Sequence, residues 1–137
     1  MSEILNQAMM ISAAGLRAQS VRMRVISENL ANQDSIAPNA GEDPYRRKVV
    51  TFTNEVNKVL GINAVKVTKV TFDMSEFGSR FDPGHPAADK DGYITTSNVK
   101  GIIEMMDMRQ AQRSYEANIT AIEASRAMLM QTLDLLR

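Results

Sequence analysis

This chain has no cysteine and no tryptophan. Without cysteine, disulfides, thiolate–metal sites and a thiol nucleophile are all excluded. Net charge is missing too. Sixteen basic and sixteen acidic side chains cancel, so no global field draws the chain to nucleic acid or to an anionic membrane. No apolar run approaches the ~20 residues of a membrane span. Aromatics make up only 5% of residues, and ten methionines take over part of the packing. Methionine is unbranched and fills irregular gaps, which suits helix seams that must fit several neighbours. The first residues include Glu3 and no basic stretch, so a cleaved secretory signal is not expected. Any export must use another route.

What is present is helical periodicity at both ends. At 137 residues the length fits one domain. From Val99 to Leu136 there is no proline, and the only glycine, Gly101, lies in the first turn. Apolar or small residues recur every seventh position at Gly101, Met108, Tyr115, Ile122, Leu129 and Leu136, widened by Ala111, Ile119 and Leu133. Such a helix would be about 57 Å long, against a radius of gyration of about 14 Å for a compact domain of this size. It is expected to project and to need a second surface over its stripe. That points to assembly rather than to a self-contained enzyme.

A first helix is predicted over Ser2–Asn32. Ile4, Ile11, Ala18 and Val25 fall at sevens, and so do Met9, Leu16, Met23 and Leu30, roughly 140° around the axis. Two such edges describe a helix touched on two sides. Gly15 in mid-helix costs about 1 kcal/mol against alanine, which a close approach by another backbone would offset. Asn29-Leu-Ala-Asn32 closes the helix, and asparagine tolerates the left-handed conformation that often ends one. Residues 33–44 read as a loop or disordered strap. Tyr45–Phe52 and Val65–Phe72 read as strands, with 53–60 fitting either a short helix or a continued strand. Phe81-Asp-Pro-Gly-His-Pro86 and Asp89-Lys-Asp-Gly-Tyr93 are turns, and Asn98 is the expected cap of the last helix. The fold class is mainly α with a small β or extended middle, divided as 1–32, 33–97 and 98–137.

Few places could carry chemistry. Asp82, His85, Asp89 and Asp91 could suit a divalent ion, but turn-forming aspartates in a proline-stiffened loop are the preferred reading, and no metal or cofactor is assigned. Read as a calcium loop, the segment has Ala87 and Asn98 where the first ligand and the bidentate glutamate belong. No Gly-x-Ser-x-Gly or phosphate-loop pattern occurs, and no catalytic residue is assigned. Arg46-Arg47-Lys48 reads as a solvated strand end or a salt bridge to a neighbouring subunit, with too little charge for nucleic acid. Arg113-Ser-Tyr115-Glu-Ala-Asn118 places polar groups beside the apolar stripe, where they would fix register.

Ser12-Ala-Ala-Gly15-Leu-Arg-Ala-Gln19, running on through Arg22 to Ser27-Glu-Asn29-Leu-Ala-Asn32, resembles the N-terminal motif of the bacterial flagellar axial proteins, the rod and hook subunits. Glu104-Met-Met-Asp107-Met-Arg-Gln-Ala-Gln-Arg113-Ser-Tyr115-Glu-Ala-Asn118 resembles their C-terminal motif. Tyr45-Arg-Arg-Lys-x-Val50-x-Phe52 and Asp82-Pro-Gly-His-Pro-x-Ala88-Asp89-x-x-Gly92-Tyr93 are similar to the proximal rod members. The resemblance implies that the terminal helices pair as an antiparallel, coiled-coil-like core, elongated and dependent on assembly. It implies a helically stacked hollow rod in the periplasm that transmits torque and lines an export channel. The implied partners are further copies, other proximal rod subunits, the adaptor joining rod to membrane ring, and the type III export apparatus. Gly15, Leu16, Gln19, Arg22, Asn29, Asn32, Asp107, Arg113, Tyr115 and Asn118 are implied packing or interface residues. Periodicity adds Ile4, Ile11, Val25, Met108, Ile122, Leu129 and Leu136. The alternative is a soluble coiled-coil adaptor of the same export system, which would close as a dimer of fixed size.

Overall fold

The computed structural model describes residues 2–57 and 61–135. Helix α1 spans Ser2–Ala31 and helix α2 spans Gly101–Leu135. Between them lie strands β1 (Lys48–Asn57), β2 (Ile62–Phe72), β3 (Gly78–Phe81) and β4 (Tyr93–Thr96). The undecided segment after Phe52 continues as strand to Asn57; Lys58 to Leu60 lie outside the described residues. β1 neighbours β2, and β3 neighbours β4, in two separate two-stranded sheets.

Contacts gather into two compact units. The first takes residues 1–23, 50–69 and 109–137; the second takes 24–49 and 70–108. Each is built from both helices and a share of the strands.

In the first unit α1 and α2 are antiparallel neighbours. Gly15 faces Asn118, while Arg22 donates to Gln110 Oε1 at 3.1 Å. Its buried residues include Leu5 on α1 and Ile62 on β2, but along the helix pair they are mostly small: Ser12, Ala14 and Ala18 on α1, Ala111 and Ser125 on α2. Small side chains let the two backbones approach, since interaxial distance follows the residues at the contact. A Cβ on Gly15 would lie 2.7 Å from Asn118 Nδ2. The expected close approach at Gly15 is therefore made by a side chain, not by a backbone. Asn118 is held in place by donating to Ser114 O at 2.9 Å. On β1 and β2, Thr53 bonds Thr68 and Glu55 pairs with Lys66 at 3.0 Å, an antiparallel register.

The second unit closes around Val25, Ile26, Ala37, Ala87 and Ile94. β3 and β4 pair antiparallel from Gly78↔Thr96 to Phe81↔Tyr93. The segment after α1 is ordered rather than a loose strap. Ile36 bridges Thr96, Ala37 N donates to Thr95 O at 3.1 Å, and Ser97 N donates to Ser35 O at 3.0 Å. Gly92 closes the β3–β4 turn at φ 85°, where a Cβ would meet the Phe81 ring at 2.9 Å. Two sequence expectations of helix capping are corrected here. No non-glycine residue among those described takes positive φ. Asn32 ends α1 by donating its Nδ2 back to Glu28 O at 2.8 Å. Asn98 does not cap α2, because its amide is spent on residues 47, 73 and 75.

Candidate assembly site

The last turns of α1, the entry to β1 and the first turns of α2 share a buried polar clasp in the second unit. Asn29 is 1% exposed. Its Nδ2 donates to Lys48 O at 2.9 Å and to Glu104 Oε2 at 3.1 Å. Its Oδ1 accepts from Lys48 N and from the Tyr45 hydroxyl, both at 2.9 Å. An asparagine amide has two protons and two lone pairs, and all four are used. Glu104 is 0% exposed. A carboxylate with no access to water is tolerable only when paired and hydrogen-bonded. Arg47 supplies the pair through its Nε, and its other nitrogens reach Asp73 at 3.4 Å and Asp107 at 3.6 Å.

Asn98 sets the strand entry that aims Arg47. Its Oδ1 accepts from Arg47 N at 2.7 Å, and its Nδ2 donates to Asp73 O at 3.0 Å and Ser75 Oγ at 3.1 Å. Arg46 donates to the carbonyls of Asp73 and Ser75, with its guanidinium 4.1 Å from the Phe77 ring centre. Burial disfavours the Arg47 charge, but the Glu104 and Asp73 contacts outweigh it and hold the guanidinium more firmly protonated than usual. The Asp73 carboxyl sits below the usual range, first because Ser75 N donates to it and then because the Ser75 hydroxyl does. Burial pushes the Tyr45 phenol up. At the rim the Glu28 carboxyl is lowered, and the Lys48 ammonium raised, by their mutual hydrogen bond of 2.9 Å.

Sequence reasoning missed Arg47 and Glu104. It left Arg47 as a solvated strand end or a bridge to another subunit, whereas its partners lie in its own chain. The available signal was spacing. Glu104, Ala111, Asn118 and Ser125 recur every seventh residue, three on from the apolar stripe. Glu104 and Ala111 are 0% exposed and Ser125 is 6% exposed. The stripe residues Met108, Tyr115, Ile122 and Leu129 are half-buried flanks of that line, and Leu136 lies outside the described residues. The tightest contact selects small or polar residues, which a search for hydrophobic periodicity passes over.

The remaining sequence candidates divide by unit. In the second, Val25 is buried and Asp107 lies on Arg47. In the first, Leu16 and Gln19 are half-buried, Arg113 is exposed, and Ile4 and Ile11 stand in solvent. The Gln19 Oε1 atom is enclosed without a hydrogen-bond partner. Large apolar side chains are bare on both helices: Ile4 and Met10 on α1, and Ile102, Met106, Met130 and Leu133 on α2. Ile102 is 78% exposed and Ile4 69%.

In the turn loop, Asp89 Oδ1 accepts from the amides of Asp91 and Tyr93 at 2.9 and 2.8 Å, and His85 Nδ1 accepts from Ala87 N at 3.1 Å. These side chains shape the turn. Among the described residues no group of three is arranged to hold a metal ion, and no helix is long and apolar enough to cross a membrane.

Long helices with antiparallel contacts, a saturated internal clasp and bare apolar faces describe a building block of an assembly. Comparison with known proteins agrees. Residues 90–135 match the family model for the C-terminal region of the flagellar basal body rod FlgEFG proteins. The flagellar basal-body rod protein FlgC of Agrobacterium fabrum is 47% identical over 133 residues, covering 97% of this chain and 96% of that protein. Its counterpart in Bacillus subtilis is 40% identical, covering 91% and 93%, and that of Salmonella typhimurium is 37% identical, covering 91% and 92%. The chain is thus a structural protein of the flagellar basal-body rod class and not an enzyme. It belongs to the FlgC family.

Proposed function

We infer that this rod subunit polymerises helically in the proximal rod, crosses the periplasm as part of that rod, transmits torque and lines the channel through which later subunits travel. Its partners are further copies, the other proximal rod subunits and the adaptor at the membrane ring, and the type III apparatus exports it without a cleaved signal. The observation that carries this reading is the set of large apolar side chains left in solvent on both helices, Ile4, Ile102, Met106 and Leu133 among them. Soluble monomers rarely expose contiguous apolar patches beyond a few hundred Å². Surfaces that differ between the two sides of a contact build open filaments when the rotation does not close.

A coiled-coil-like seam is part of this reading, supported by the heptad spacing of buried Glu104, Ala111 and Ser125 on α2 and by the antiparallel contacts to α1. Helices gain most of their stability from tertiary packing, so the ends of α1 and α2, which bury Leu5 and Ser125 but leave Ile4, Met130 and Leu133 bare, depend on neighbours in the assembly. The test uses Ile4→Asp and Ile102→Asp in a strain lacking the native gene. Both side chains are exposed, so the isolated chain should keep its circular dichroism. Incorporation into isolated basal bodies and swimming should fall at least tenfold. Normal incorporation and swimming in both variants would contradict the reading.

A further inference from the structure

All the sulfur in this chain is thioether. With no cysteine and ten methionines, methionine is where a mild two-electron oxidant reacts, and exposure decides which one. Among the described residues Met9, Met23 and Met108 are half-buried. Met10, Met74, Met105, Met106, Met128 and Met130 stand in solvent.

Met105 and Met106 have a distinctive setting. They follow Ile102 and Ile103 in the first turns of α2, and the four are 78%, 46%, 55% and 66% exposed in chain order. Glu104, in the middle of this run, is fully buried and held by Asn29 and Arg47. At 100° per residue, Ile102 and Met106 lie about 160° around the axis from Glu104, and Ile103 and Met105 about 100°. The clasp that draws Glu104 inward therefore turns its four neighbours outward. This is an apolar, methionine-rich surface on a turn whose rotation is fixed from the inside.

We propose that Met105 and Met106 form a reversible oxidation site that controls whether a free chain can assemble. The thioether sulfur attacks the outer oxygen of a peroxide. An S–O bond forms as the O–O bond breaks, the sulfur gives up two electrons, and the peroxide is reduced to water. The sulfoxide replaces an apolar tip with a strong hydrogen-bond acceptor. In the isolated chain that oxygen points into water and leaves folding unaffected. Covering it without a donor carries a desolvation penalty, so the oxidised chain is barred from assembly, while a methionine already covered is out of the oxidant's reach. A thiol-dependent methionine sulfoxide reductase restores the thioether, taking two electrons from a thiol pair and releasing the oxygen as water. The proposal rests on the rod reading above, in which this face is covered on assembly, and adds a chemical condition to it.

The test treats the purified chain with hydrogen peroxide, locates sulfoxides by peptide mass spectrometry and collects the polymer formed on concentration by sedimentation. Oxygen should appear at Met105 and Met106 ahead of Met108, with circular dichroism unchanged. Polymer should fall about tenfold or more and return after treatment with the reductase. Met105→Leu with Met106→Leu, a swap close in volume, should polymerise even after peroxide. Met105→Gln with Met106→Gln, which places a polar group there permanently, should fail without it. Undiminished polymer from chain oxidised at both positions would overturn the proposal and leave the rod reading intact. So would a glutamine pair that polymerises normally, a leucine pair that peroxide blocks as fully as the native chain, or rescue by Met74→Leu alone. An untreated native chain that stays monomeric at every concentration and never enters basal bodies would overturn both.

Discussion

The two units solve the same problem, joining the chain's ends to its middle, by opposite means. The second unit does it with specific polar chemistry: Asn29 uses every hydrogen-bonding capacity it has, and Arg47 neutralises the buried Glu104. The first does it mostly with small residues, Ala14, Ala18, Ala111 and Ser125, beside Leu5 and Ile62, and leaves the Gln19 oxygen unpartnered and Ile4 and Met130 bare. A saturated clasp specifies its geometry within one chain. A shallow seam of alanine and serine removes little apolar surface from water, and burial stabilises in proportion to that area. The contrast sets a part that holds its own shape beside a part that, on the reading proposed above, acquires stability from neighbours.

The largest effect is expected at the clasp. Arg47→Ala strands the Glu104 carboxylate in the interior, and breaking a buried pair from one side costs about 3–5 kcal/mol. Urea unfolding of the isolated chain should show that loss. The double variant Arg47→Met, Glu104→Leu should recover a large part of it, because no fully buried charge is then left unpaired; Asp73 and Asp107, 30% and 34% exposed, keep access to water. A loss below about 1 kcal/mol in Arg47→Ala, far short of the cost of a stranded charge, would mean that the clasp contributes shape but not stability, and the contrast between the units would weaken.

The seam is expected to answer more weakly. Alanine for glycine inside a helix ordinarily gains about 1 kcal/mol. At Gly15 the new Cβ meets Asn118, and overpacking costs about 1–3 kcal/mol. Gly15→Ala should therefore destabilise by about 1 kcal/mol in assembled material, and the same change beside Asn118→Ala should turn stabilising. A thermal-melt double-mutant cycle measures the coupling; additive effects would remove Asn118 from the seam.

Smaller again is Gln19→Leu. Replacing an enclosed, unpartnered amide by carbon removes a desolvation cost, so the melting temperature of assembled material should hold or rise by a few degrees. A clear fall would show that the amide finds a partner when neighbours are present.

The smallest effect concerns pH. Asp73 and Glu28 are both lowered in the folded chain. Groups with depressed values bind fewer protons folded than unfolded, so their stabilising share is complete above the ordinary carboxyl range of about 4 and is lost as pH falls through the lowered values. Stability of the isolated chain should be flat from about pH 5 to 7 and decline below about 4. Asp73→Asn should make that decline shallower, and an unchanged slope would remove Asp73 from the titration.

Much of this contrast was legible in the sequence, and unevenly so. The helices were readable to within a few residues because periodicity and the absence of proline are local signals. The strands at Tyr45–Phe52 and Val65–Phe72 were readable from β-branched residues. The clasp was not, because its members are distant along the chain: Asn29, Arg47, Asp73, Asn98 and Glu104 meet only through the fold. Asn98 looked like a helix cap because asparagine before a helix usually is one; tertiary partners took its amide instead. The centre of the α2 seam was hidden for a different reason. Contact distance, not hydrophobicity, chooses glutamate, alanine, asparagine and serine for it, while the conspicuous apolar residues sit to either side.

The central claim is that the second unit, although Ile102 and Met106 on it are bare, holds its shape within one chain, while the first gains its stability in the assembly. Amide hydrogen exchange on the isolated chain and on the assembled rod tests it most directly, since exchange reports local opening across a structure. The account predicts slow exchange at Lys48, Ala37 and Ser97 in both states, and exchange near Gly15, Ala111 and Ser125 that is fast in the isolated chain and slows at least a hundredfold on assembly. Equal, strong protection of both sets in a dilute monomer would contradict it.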